Sequence, residues 1–242
     1  MAEIGALIAA AGRGTRAGLP YPKTLYPVQG KPILLRIFEM LRPYDAQPTV
    51  IVSPSGAEPI AECLEKEEFP AHFVIQPEPK GMGDAVLRYA QSPAYESAEH
   101  VLLIWGDVPF VQPETVSQMV AAHLREDNDF TFVTRRVARP YTVVSRDPER
   151  CVTGVIETRE AGGEPPAEGE RDIGLFVFRK LPVFEALASD LPGRLGRSTG
   201  EHGFLYVIAH LARLGRKVAA LPIAQEIELV SLNSLQDLQG FL

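Results

Sequence analysis

The chain has 242 residues, of which 45% are hydrophobic and 23% are charged, and its formal net charge is −7. This composition supports a sizeable buried core and excludes a largely disordered chain, while the negative charge argues against nucleic acid as the main partner. The apolar run near the N-terminus is short and lacks a basic start, and no stretch approaches the ~20 apolar residues of a membrane span, so we expect a cytoplasmic protein without membrane association.

The first predicted element is a strand over residues 4–11 that leads into a glycine loop. Its continuous apolar run is typical of a strand buried on both faces of a parallel sheet. Gly12 and Gly14 allow backbone angles in which successive N–H groups form an anion-binding nest. Three cations lie close by in the sequence: Arg13, Arg16 and Lys23. The loop therefore favours phosphate binding over a simple turn with solvated arginines, although it matches neither the Walker A nor the dinucleotide-binding motif.

The next segments alternate between helical and extended patterns. An apolar face with helical period begins after Pro32, and a second helix is predicted over residues 59–67. Strands are predicted over residues 49–53 and 72–76. Alternation at this short spacing indicates a parallel sheet with right-handed connections, and hence an α/β fold.

The strand over residues 72–76 ends in a candidate base-binding residue. Gln76 offers both a donor and an acceptor, which suits it to the edge of a nucleotide base, and ligands of open α/β sheets bind at the carboxyl ends of strands. Gly81 and Gly83 would let a flat base lie against the backbone. An ordinary turn from strand to helix explains these residues equally well.

The strand predicted over residues 101–105 ends in the sequence Gly-Asp-Val-Pro. A carboxylate at the end of a central strand is typical of a divalent-metal site, and Mg²⁺ prefers one or two carboxylates together with substrate phosphates. The alternative is that Asp107 caps the following helix. We favour the metal role, because Pro113 and Glu114 predict that this helix begins several residues later.

The second half of the chain is predicted to complete the same domain. The predicted strands cover residues 129–134, 142–145, 151–157, 173–178 and 218–221, and the predicted helices cover residues 181–191 and 204–211. Residues 161–170 are rich in Gly, Pro and Glu and predict a surface loop. Residues 227–232 predict an extended run that ends at Asn233. The strands on either side of Pro165-Pro166 fit one scheme and there is no internal repeat, so we expect a single domain over residues 1–242.

Taken in order, the motifs resemble those of the sugar-1-phosphate nucleotidyltransferases, which are also called sugar-nucleotide pyrophosphorylases. The similarity is greatest to the uridyltransferase domain that makes UDP-N-acetylglucosamine, and it runs almost the whole length. The segments that carry it are Ala10–Arg16 with Pro22-Lys23, Gln76 with Gly81–Ala85, Gly106–Pro109, Thr153–Glu157, Gly200-Glu201 and Leu232-Asn233. The resemblance implies a nucleotide-diphospho-sugar transferase fold of Rossmann-like type, in which helices flank a mixed, mainly parallel sheet.

The resemblance also implies roles for individual residues. Those expected to bind the nucleotide are Ala10, Ala11, Gly12, Gly14, Thr15, Gln76 and Gly81. Those expected on the sugar side are Thr142, Gly154, Glu157, Asp172 and Glu201. Asp107 and Asn233 would hold the catalytic Mg²⁺. The predicted catalytic residues are Arg16, Lys23 and Asp107, of which the two cations would hold the triphosphate.

The sugar side departs from the family pattern at several positions. Relatives that use N-acetylglucosamine-1-phosphate have Gly-Arg after the aromatic at the position of Tyr141, where this chain has Thr142-Val143. They have Asn-Thr-Gly in place of Asp172–Gly174, and two tyrosines in place of His202-Gly203. Glucose-specific relatives have a lysine at the position of Thr158. The resemblance therefore predicts the nucleotide half of the site better than the sugar half.

The predicted reaction joins a nucleoside triphosphate, with UTP preferred, to a sugar-1-phosphate and releases pyrophosphate, with Mg²⁺ as the cofactor. Two alternatives stay open: a cytidylyltransferase that acts on a non-sugar phosphate, and a nucleotide-binding regulatory protein without catalysis. The joint presence of Asp107 and Asn233 argues against the regulatory protein. An NAD-dependent oxidoreductase is disfavoured, because the third glycine is missing and Ser53 stands where an acid is expected.

Overall fold

The computed structural model describes residues 3–12, 18–162 and 164–238. The chain divides into two compact units. Unit 1 comprises Met1–Pro79, Arg88–Pro113 and Glu226–Leu242, and unit 2 comprises Lys80–Leu87 and Glu114–Gln225. The expectation of one nucleotidyltransferase domain over residues 1–242 stays a prediction.

Strands and helices alternate through most of the first half of the described chain, whereas β7, β8 and β9 follow one another directly. The strands are β1 Ile4–Ala9, β2 Pro27–Val28, β3 Lys31–Pro32, β4 Thr49–Val52, β5 His72–Ile75, β6 His100–Trp105, β7 Phe130–Ala138, β8 Thr142–Arg146, β9 Val152–Glu157, β10 Glu168–Arg179 and β11 Val218–Leu221. The α-helices are α1 Ile33–Leu41, α2 Ala57–Lys66, α3 Met82–Arg88, α4 Ala94–Ser97, α5 Pro113–Arg125, α6 Thr158–Ala161, α7 Lys180–Glu185 and α8 Tyr206–Arg213.

Unit 1 is built on four parallel strands in the order β5-β4-β1-β6. β1 runs beside β6 from the pair Ile4 and His100 to the pair Ala9 and Trp105. β4 is buried along its whole length, which explains why its sequence is a continuous apolar run instead of an alternating one. Parallel strands end at the same edge of a sheet, so the residues that follow β1, β5 and β6 are candidates for a common ligand site.

Helix α1 begins after Pro32, as the sequence predicts. Proline suits the start of a helix, because its φ angle is already helical and the N–H it lacks would have no partner there. The apolar face recurs with helical period and is buried at Ile33, Leu34, Ile37, Phe38 and Leu41. Burial of this stripe holds the helix against the core of unit 1.

Unit 2 contains the strands β11, β7 and β10 in that order, with β11 parallel and β10 antiparallel to β7. A separate antiparallel hairpin is formed by β8 and β9 and pairs Thr142 with Glu157. Stacked and edge-on aromatic rings fill the interior of the unit: Phe130, Phe132, Phe176, Phe178 and Phe204. The hairpin carries three of the predicted sugar-side residues, Thr142, Gly154 and Glu157.

An ion pair joins the β8 strand to β10. Arg146 Nη2 lies 2.8 Å from Glu170 Oε1, which also accepts a hydrogen bond from Thr134 Oγ1 at 2.6 Å. Burial alone would raise the pKa of Glu170, but the hydrogen bonds from Arg146 and Thr134 outweigh it and hold this pKa below its usual range. The charged form of Glu170 is thus part of what fixes the hairpin.

Three element predictions are wrong in part. The surface loop predicted over residues 161–170 ends early, because β10 begins at Glu168 and pairs there with Ala138 of β7. The extended run predicted over residues 227–232 is instead a 3-10 turn, Glu226–Leu229. The helix predicted over residues 181–191 changes from α to π geometry at Ala186. In the first case pairing with a distant strand outweighed a local composition typical of loops.

The predicted fold class is confirmed: the strands make a mixed, mainly parallel sheet flanked by helices. Apart from the undescribed residues, the chain has no helix whose length and apolarity would let it cross a membrane.

Candidate active site

Lys23, Asp107 and Leu232 meet where β1 and β6 end. Lys23 Nζ lies 2.5 Å from Asp107 Oδ2 and donates a second hydrogen bond to the Leu232 carbonyl oxygen at 3.1 Å. The lysine and aspartate side chains are 20% and 15% exposed. We call these three residues the Lys23–Asp107 cluster. The structure thus brings together two of the predicted catalytic residues, which lie 84 positions apart in the chain.

Close backbone contacts place Asp107 in this cluster. Gly106 follows the last residue of β6, and its N–H donates to the carbonyl oxygen of Ala9 at 2.9 Å. A Cβ at residue 106 would lie 2.8 Å from that same oxygen, so glycine lets the chain pass close to β1. The Leu232 N–H donates to the Asp107 carbonyl oxygen at 2.8 Å, which ties the C-terminal segment to the end of β6.

One oxygen of the Asp107 carboxylate, Oδ1, is buried and has no hydrogen-bond partner among the described residues. A buried polar atom without a partner is costly, and a ligand that supplies the partner removes the cost. Across the residues that the structure describes, no three His, Cys, Asp or Glu side chains gather to form a cation site. Asp107 therefore fits a Mg²⁺ ion that takes most of its ligands from substrate phosphates and water instead of a closed protein cage.

Asn233, the second predicted metal ligand, directly follows Leu232 of the Lys23–Asp107 cluster. Its side-chain Nδ2 donates to Ser231 Oγ at 2.9 Å, and its backbone N–H donates to Asp237 Oδ2 at 2.9 Å. The Ser234 N–H donates to the same Asp237 oxygen at 2.6 Å. These bonds hold Asn233 in a turn, and its contact with a metal stays a prediction.

The predicted nucleotide-binding stretch is described as far as Gly12. Ala10 is buried, and its N–H donates to the Ile51 carbonyl oxygen at 2.9 Å, while Ala11 is half-buried. A Cβ at residue 12 would lie 3.2 Å from Lys23 Cε, so Gly12 leaves room for the lysine beside it. The predicted residues that lie outside the described ranges are Gly14, Thr15 and Arg16. Their phosphate contacts stay predictions.

Gln76 follows β5 at the carboxyl edge of the unit 1 sheet. Its N–H donates to the Val52 carbonyl oxygen at 2.8 Å, which continues the β4–β5 pairing by one residue. The residue is 5% exposed, whereas Phe73 and Ile75 on the same strand are far more exposed. Its position agrees with the predicted one, and its contact with a base stays a prediction.

In unit 2, Gly81 lies against the segment that contains Glu201, so two predicted site residues are neighbours. Gly81 has a φ angle of +100°, which favours glycine. A Cβ there would lie 2.6 Å from the carbonyl oxygen of His202 and 2.8 Å from Glu201 Cβ. Glycine is therefore required at residue 81 both by backbone conformation and by this close approach.

Glu157 ends β9 and is paired with an arginine. Arg159 donates from Nε and Nη2 to Glu157 Oε2, at 3.1 and 2.9 Å. Gly154, on the same strand, lies under helix α8, where a Cβ would be 3.0 Å from Ala209 Cβ. Gly154 therefore has a packing role whether or not it also contacts a sugar.

Tyr206 and Arg194 were not predicted from the sequence: the charge of Glu157 acts on Tyr206, and Arg194 lies over the Tyr206 ring. The Arg194 guanidinium is 4.8 Å from the centre of the Tyr206 ring. Burial raises the pKa of Tyr206, and the negative charges of Glu157 and Glu160 raise it further. No sequence motif marks these two residues, because folding alone brings their loop and helix to β9.

Thr142 and Asp172, both predicted on the sugar side, bond to each other in the interior of unit 2. Thr142 Oγ1 donates to Asp172 Oδ1 at 2.6 Å, and the Gly174 N–H donates to Asp172 Oδ2 at 3.0 Å. Asp172 is 0% exposed, and its burial raises its pKa against the effect of these two hydrogen bonds. In this conformation the pair supports the β8–β10 packing, and direct contact with a sugar stays a prediction.

Comparison with known proteins gives consistent matches. Residues 6–203 match the family model of the MobA-like NTP transferase domain. The chain is 32% identical over 233 residues to the bifunctional protein GlmU of Syntrophotalea carbinolica, which covers 96% of this chain and 49% of that protein. It is 31% identical over 243 residues to GlmU of Symbiobacterium thermophilum, covering 98% and 50%. The chain spans about half the length of these curated relatives.

A solved structure confirms the fold. A crystal structure from Bacillus anthracis, assigned as a glucose-1-phosphate thymidylyltransferase and solved with sucrose, superposes with a TM-score of 0.78 over 98% of this chain and 93% of that chain. Sequence identity in this pair is 16%, so the match bears on the fold alone. The family match and the GlmU relatives confirm the resemblance read from the motifs. The chain belongs to the family of MobA-like NTP transferase domains and is similar in sequence to the GlmU proteins.

Proposed function

We propose that this protein is a Mg²⁺-dependent nucleotidyltransferase that joins UTP to a sugar-1-phosphate and releases pyrophosphate. The observation that carries the proposal is the Lys23–Asp107 cluster, where an ammonium group lies beside a carboxylate with an unpaired buried oxygen. The motif resemblance and the name of the Bacillus anthracis protein support a sugar-1-phosphate as the second substrate. The GlmU relatives are about twice as long as this chain, so the proposal does not extend to the full activity of those proteins.

The reaction needs no general base, because a sugar-1-phosphate is already an anionic nucleophile. One of its phosphate oxygens attacks the α-phosphorus of the triphosphate. The bond between that phosphorus and the oxygen bridging to the β-phosphate breaks, and the oxygen leaves with pyrophosphate. The protein must overcome repulsion between two polyanions and hold them in line, and alignment can supply about 7–11 kcal/mol of the barrier.

Lys23 is suited to hold the phosphates that leave. Its ammonium group has three donors, two of which bond to Asp107 and to the Leu232 carbonyl in the structure. An ammonium on a flexible stem can turn from a carboxylate to a phosphate. When a triphosphate binds, Lys23 would turn from Asp107 to the phosphates, and the Asp107 carboxylate would then become available to a metal. Arg16 would share the phosphate charge.

Asp107 and Asn233 are the residues that would hold Mg²⁺. When bound, the ion would neutralise phosphate charge as it develops in the transition state. The buried unpaired Oδ1 of Asp107 is the feature of this chain that fits the ion. The hydrogen bond from the Leu232 N–H keeps the next residue, Asn233, near the same carboxylate.

Residues outside the cluster would select the substrates. Gln76 and Gly81 would read the base, and an amide side chain with a donor and an acceptor suits the edge of uracil. Glu157 would accept hydrogen bonds from sugar hydroxyls, and the family resemblance implies the same sugar-side role for Gly154 and Glu201. Arg159 already orients Glu157 through two hydrogen bonds.

A screen of pyrophosphate release tests the proposal. ATP, GTP, CTP and UTP are each combined with Mg²⁺ and a panel of sugar-1-phosphates, with isoprenoid and polyol phosphates as further acceptors. We expect release with UTP and at least one sugar-1-phosphate. Release only with CTP and a non-sugar phosphate would contradict the proposal and favour a cytidylyltransferase. Nucleotide binding without any release would favour a regulatory protein.

A further inference from the structure

The segment from Lys80 to Gly83 is bonded to His202 on both sides of its backbone. The His202 N–H donates to the Lys80 carbonyl oxygen at 2.7 Å, and the Gly83 N–H donates to the His202 carbonyl oxygen at 2.9 Å. Both segments belong to unit 2. We call residues 80–83 the glycine segment. These two hydrogen bonds hold both ends of the glycine segment against His202.

Steric contacts point to the same residue. A Cβ at Gly83 would lie 2.9 Å from both Cγ and Nδ1 of the His202 ring. A Cβ at Gly81 would lie 2.6 Å from the His202 carbonyl oxygen. His202 therefore occupies the space that a side chain at either glycine would need. Its ring lies beside Gly83, and its carbonyl oxygen lies beside Gly81.

The His202 ring is anchored on its far side. Its Nε2 lies 2.9 Å from the carbonyl oxygen of Leu191, so a proton on Nε2 donates to that oxygen. The residue is 7% exposed. The neighbouring Glu201 carbonyl oxygen accepts from the Gly196 N–H at 2.9 Å. The ring cannot move away from Gly83 without breaking the bond to Leu191 or disturbing the loop that carries Glu201.

From these contacts we infer that His202 is a positioning residue that couples the nucleotide side of the site to the acceptor side. It holds Gly81, which the proposed function places at the base, in fixed relation to Glu201, which the proposed function places at the sugar. A shift of either segment is transmitted to the other through one ring and two backbone hydrogen bonds. Binding of the sugar-1-phosphate should therefore tighten binding of the nucleotide, and the reverse, because linkage between two binding sites is reciprocal.

A size exchange between Gly83 and His202 tests this inference. In Gly83→Ala the new methyl group collides with the ring, and in His202→Ala the ring and its bond to Leu191 are lost. In the double variant the methyl group occupies part of the space that the ring leaves. We expect each single change to weaken nucleotide binding about fivefold to tenfold and the double variant to recover most of that loss, as coupling between contacting residues allows.

The probe is whichever of ATP, GTP, CTP and UTP binds the wild type most tightly, measured by calorimetry with and without sugar-1-phosphate. Gly193→Ala is the matched glycine control, since a Cβ there meets nothing within 4 Å. His210→Ala is the matched histidine control, since its ring bonds to Asp190 and not to the glycine segment. His202→Gln retains a side-chain donor and should keep part of the coupling. Thermal unfolding of every variant confirms that it is folded, and if Gly83→Ala does not fold, the two His202 variants carry the test.

The inference is supported if sugar-1-phosphate tightens nucleotide binding in the wild type and in both controls but not in His202→Ala. It is overturned if His202→Ala keeps the wild-type nucleotide affinity and the wild-type response to sugar-1-phosphate. The proposed function fails separately, if the wild type binds nucleotide but releases no pyrophosphate. The absence of nucleotide binding in the wild type would contradict both.

Discussion

Two aspartates, Asp107 in unit 1 and Asp172 in unit 2, show how differently one side chain can be used within a single chain. Both are withdrawn from solvent, with exposed fractions of 15% for the Asp107 side chain and 0% for Asp172. Both oxygens of Asp172 accept hydrogen bonds, from Thr142 and from the Gly174 N–H. One buried oxygen of Asp107 has no hydrogen-bond partner in the part of the chain that the structure describes. Burial alone therefore does not distinguish the two carboxylates. The difference is that both oxygens of Asp172 have hydrogen-bond partners within the fold, whereas one oxygen of Asp107 is available to a ligand.

An unpaired buried polar atom costs about 1–3 kcal/mol, so a fold retains one where a ligand later supplies the partner. The Lys23 ammonium offsets part of the cost at Asp107 through the other oxygen. This cost does not arise at Asp172, because both of its oxygens accept hydrogen bonds. The predictions below test whether the two carboxylates differ in function as they differ in bonding.

Replacing Asp107 with asparagine should have the largest effect. The amide keeps the size of the side chain but removes the charge that would bind Mg²⁺ and pair with Lys23, so we expect pyrophosphate release to fall at least about 10³-fold. The rate is measured under saturating substrates, with Glu62→Gln on the exposed face of α2 as the control. Activity within tenfold of the wild type, in a folded variant, would show that Asp107 is not the metal ligand.

Replacing Lys23 with methionine should reduce kcat/KM about 10²-fold to 10³-fold, because a charge that holds the leaving phosphates is lost. The same change removes the cation that competes for Asp107. We therefore expect Mn²⁺, followed by its electron paramagnetic resonance signal, to bind the variant more tightly than the wild type in the absence of substrate. Weaker Mn²⁺ binding in the variant would mean that the lysine supports the metal instead of competing with it.

Replacing Glu157 with glutamine should raise the KM for sugar-1-phosphate about tenfold, the order expected when a charged hydrogen-bond acceptor is lost, while the KM for the nucleotide stays the same. Initial rates with one substrate varied and the other saturating separate the two constants. Glu149→Gln, in the exposed turn between β8 and β9, is the matched control. An equal rise in both constants would place Glu157 outside the sugar side.

Replacing Asp172 with asparagine should have the smallest effect on activity and a distinct effect on stability. Burial raises the pKa of Asp172, so the folded protein binds a proton more tightly than the unfolded chain does. The contribution of this group to stability is therefore present below the unfolded pKa and is lost as pH rises through the folded pKa. In the wild type the free energy of unfolding should therefore contain a part that decreases as pH rises, and we expect the variant to lack this decrease. Urea unfolding across the acid range measures it. A large loss of sugar-1-phosphate binding in the variant would instead show that Asp172 contacts the substrate.

Most of the unit 1 architecture could be predicted from the sequence, because its signals are local. A continuous apolar run predicts β4, and Pro32 predicts the start of α1. Unit 2 was harder, because pairing between distant segments decides its boundaries. The start of β10 at Glu168 depends on Ala138, which no local pattern at residues 161–170 reveals.

The candidate site likewise contains features that could be predicted from the sequence and features that could not. Lys23 and Asp107 could be predicted, because each lies in a short motif that the family resemblance marks, and Asp107 also follows the end of a strand. The Leu232 carbonyl that bonds to Lys23 could not, since a backbone acceptor carries no sequence signal. The full burial of Asp172 likewise could not be predicted from the sequence, because it depends on Thr142 from another strand.

The central claim is a nucleotidyl transfer at the Lys23–Asp107 cluster, and ³¹P nuclear magnetic resonance of the reaction mixture tests it most directly. Wild-type protein, Mg²⁺, UTP and a sugar-1-phosphate are followed over time, beside the same mixture with Asp107→Asn. We predict that the wild type forms the paired resonances of a nucleotide sugar together with one equivalent of pyrophosphate, and that the variant forms neither. Inorganic phosphate in place of pyrophosphate, or the same products from the variant, would contradict the account.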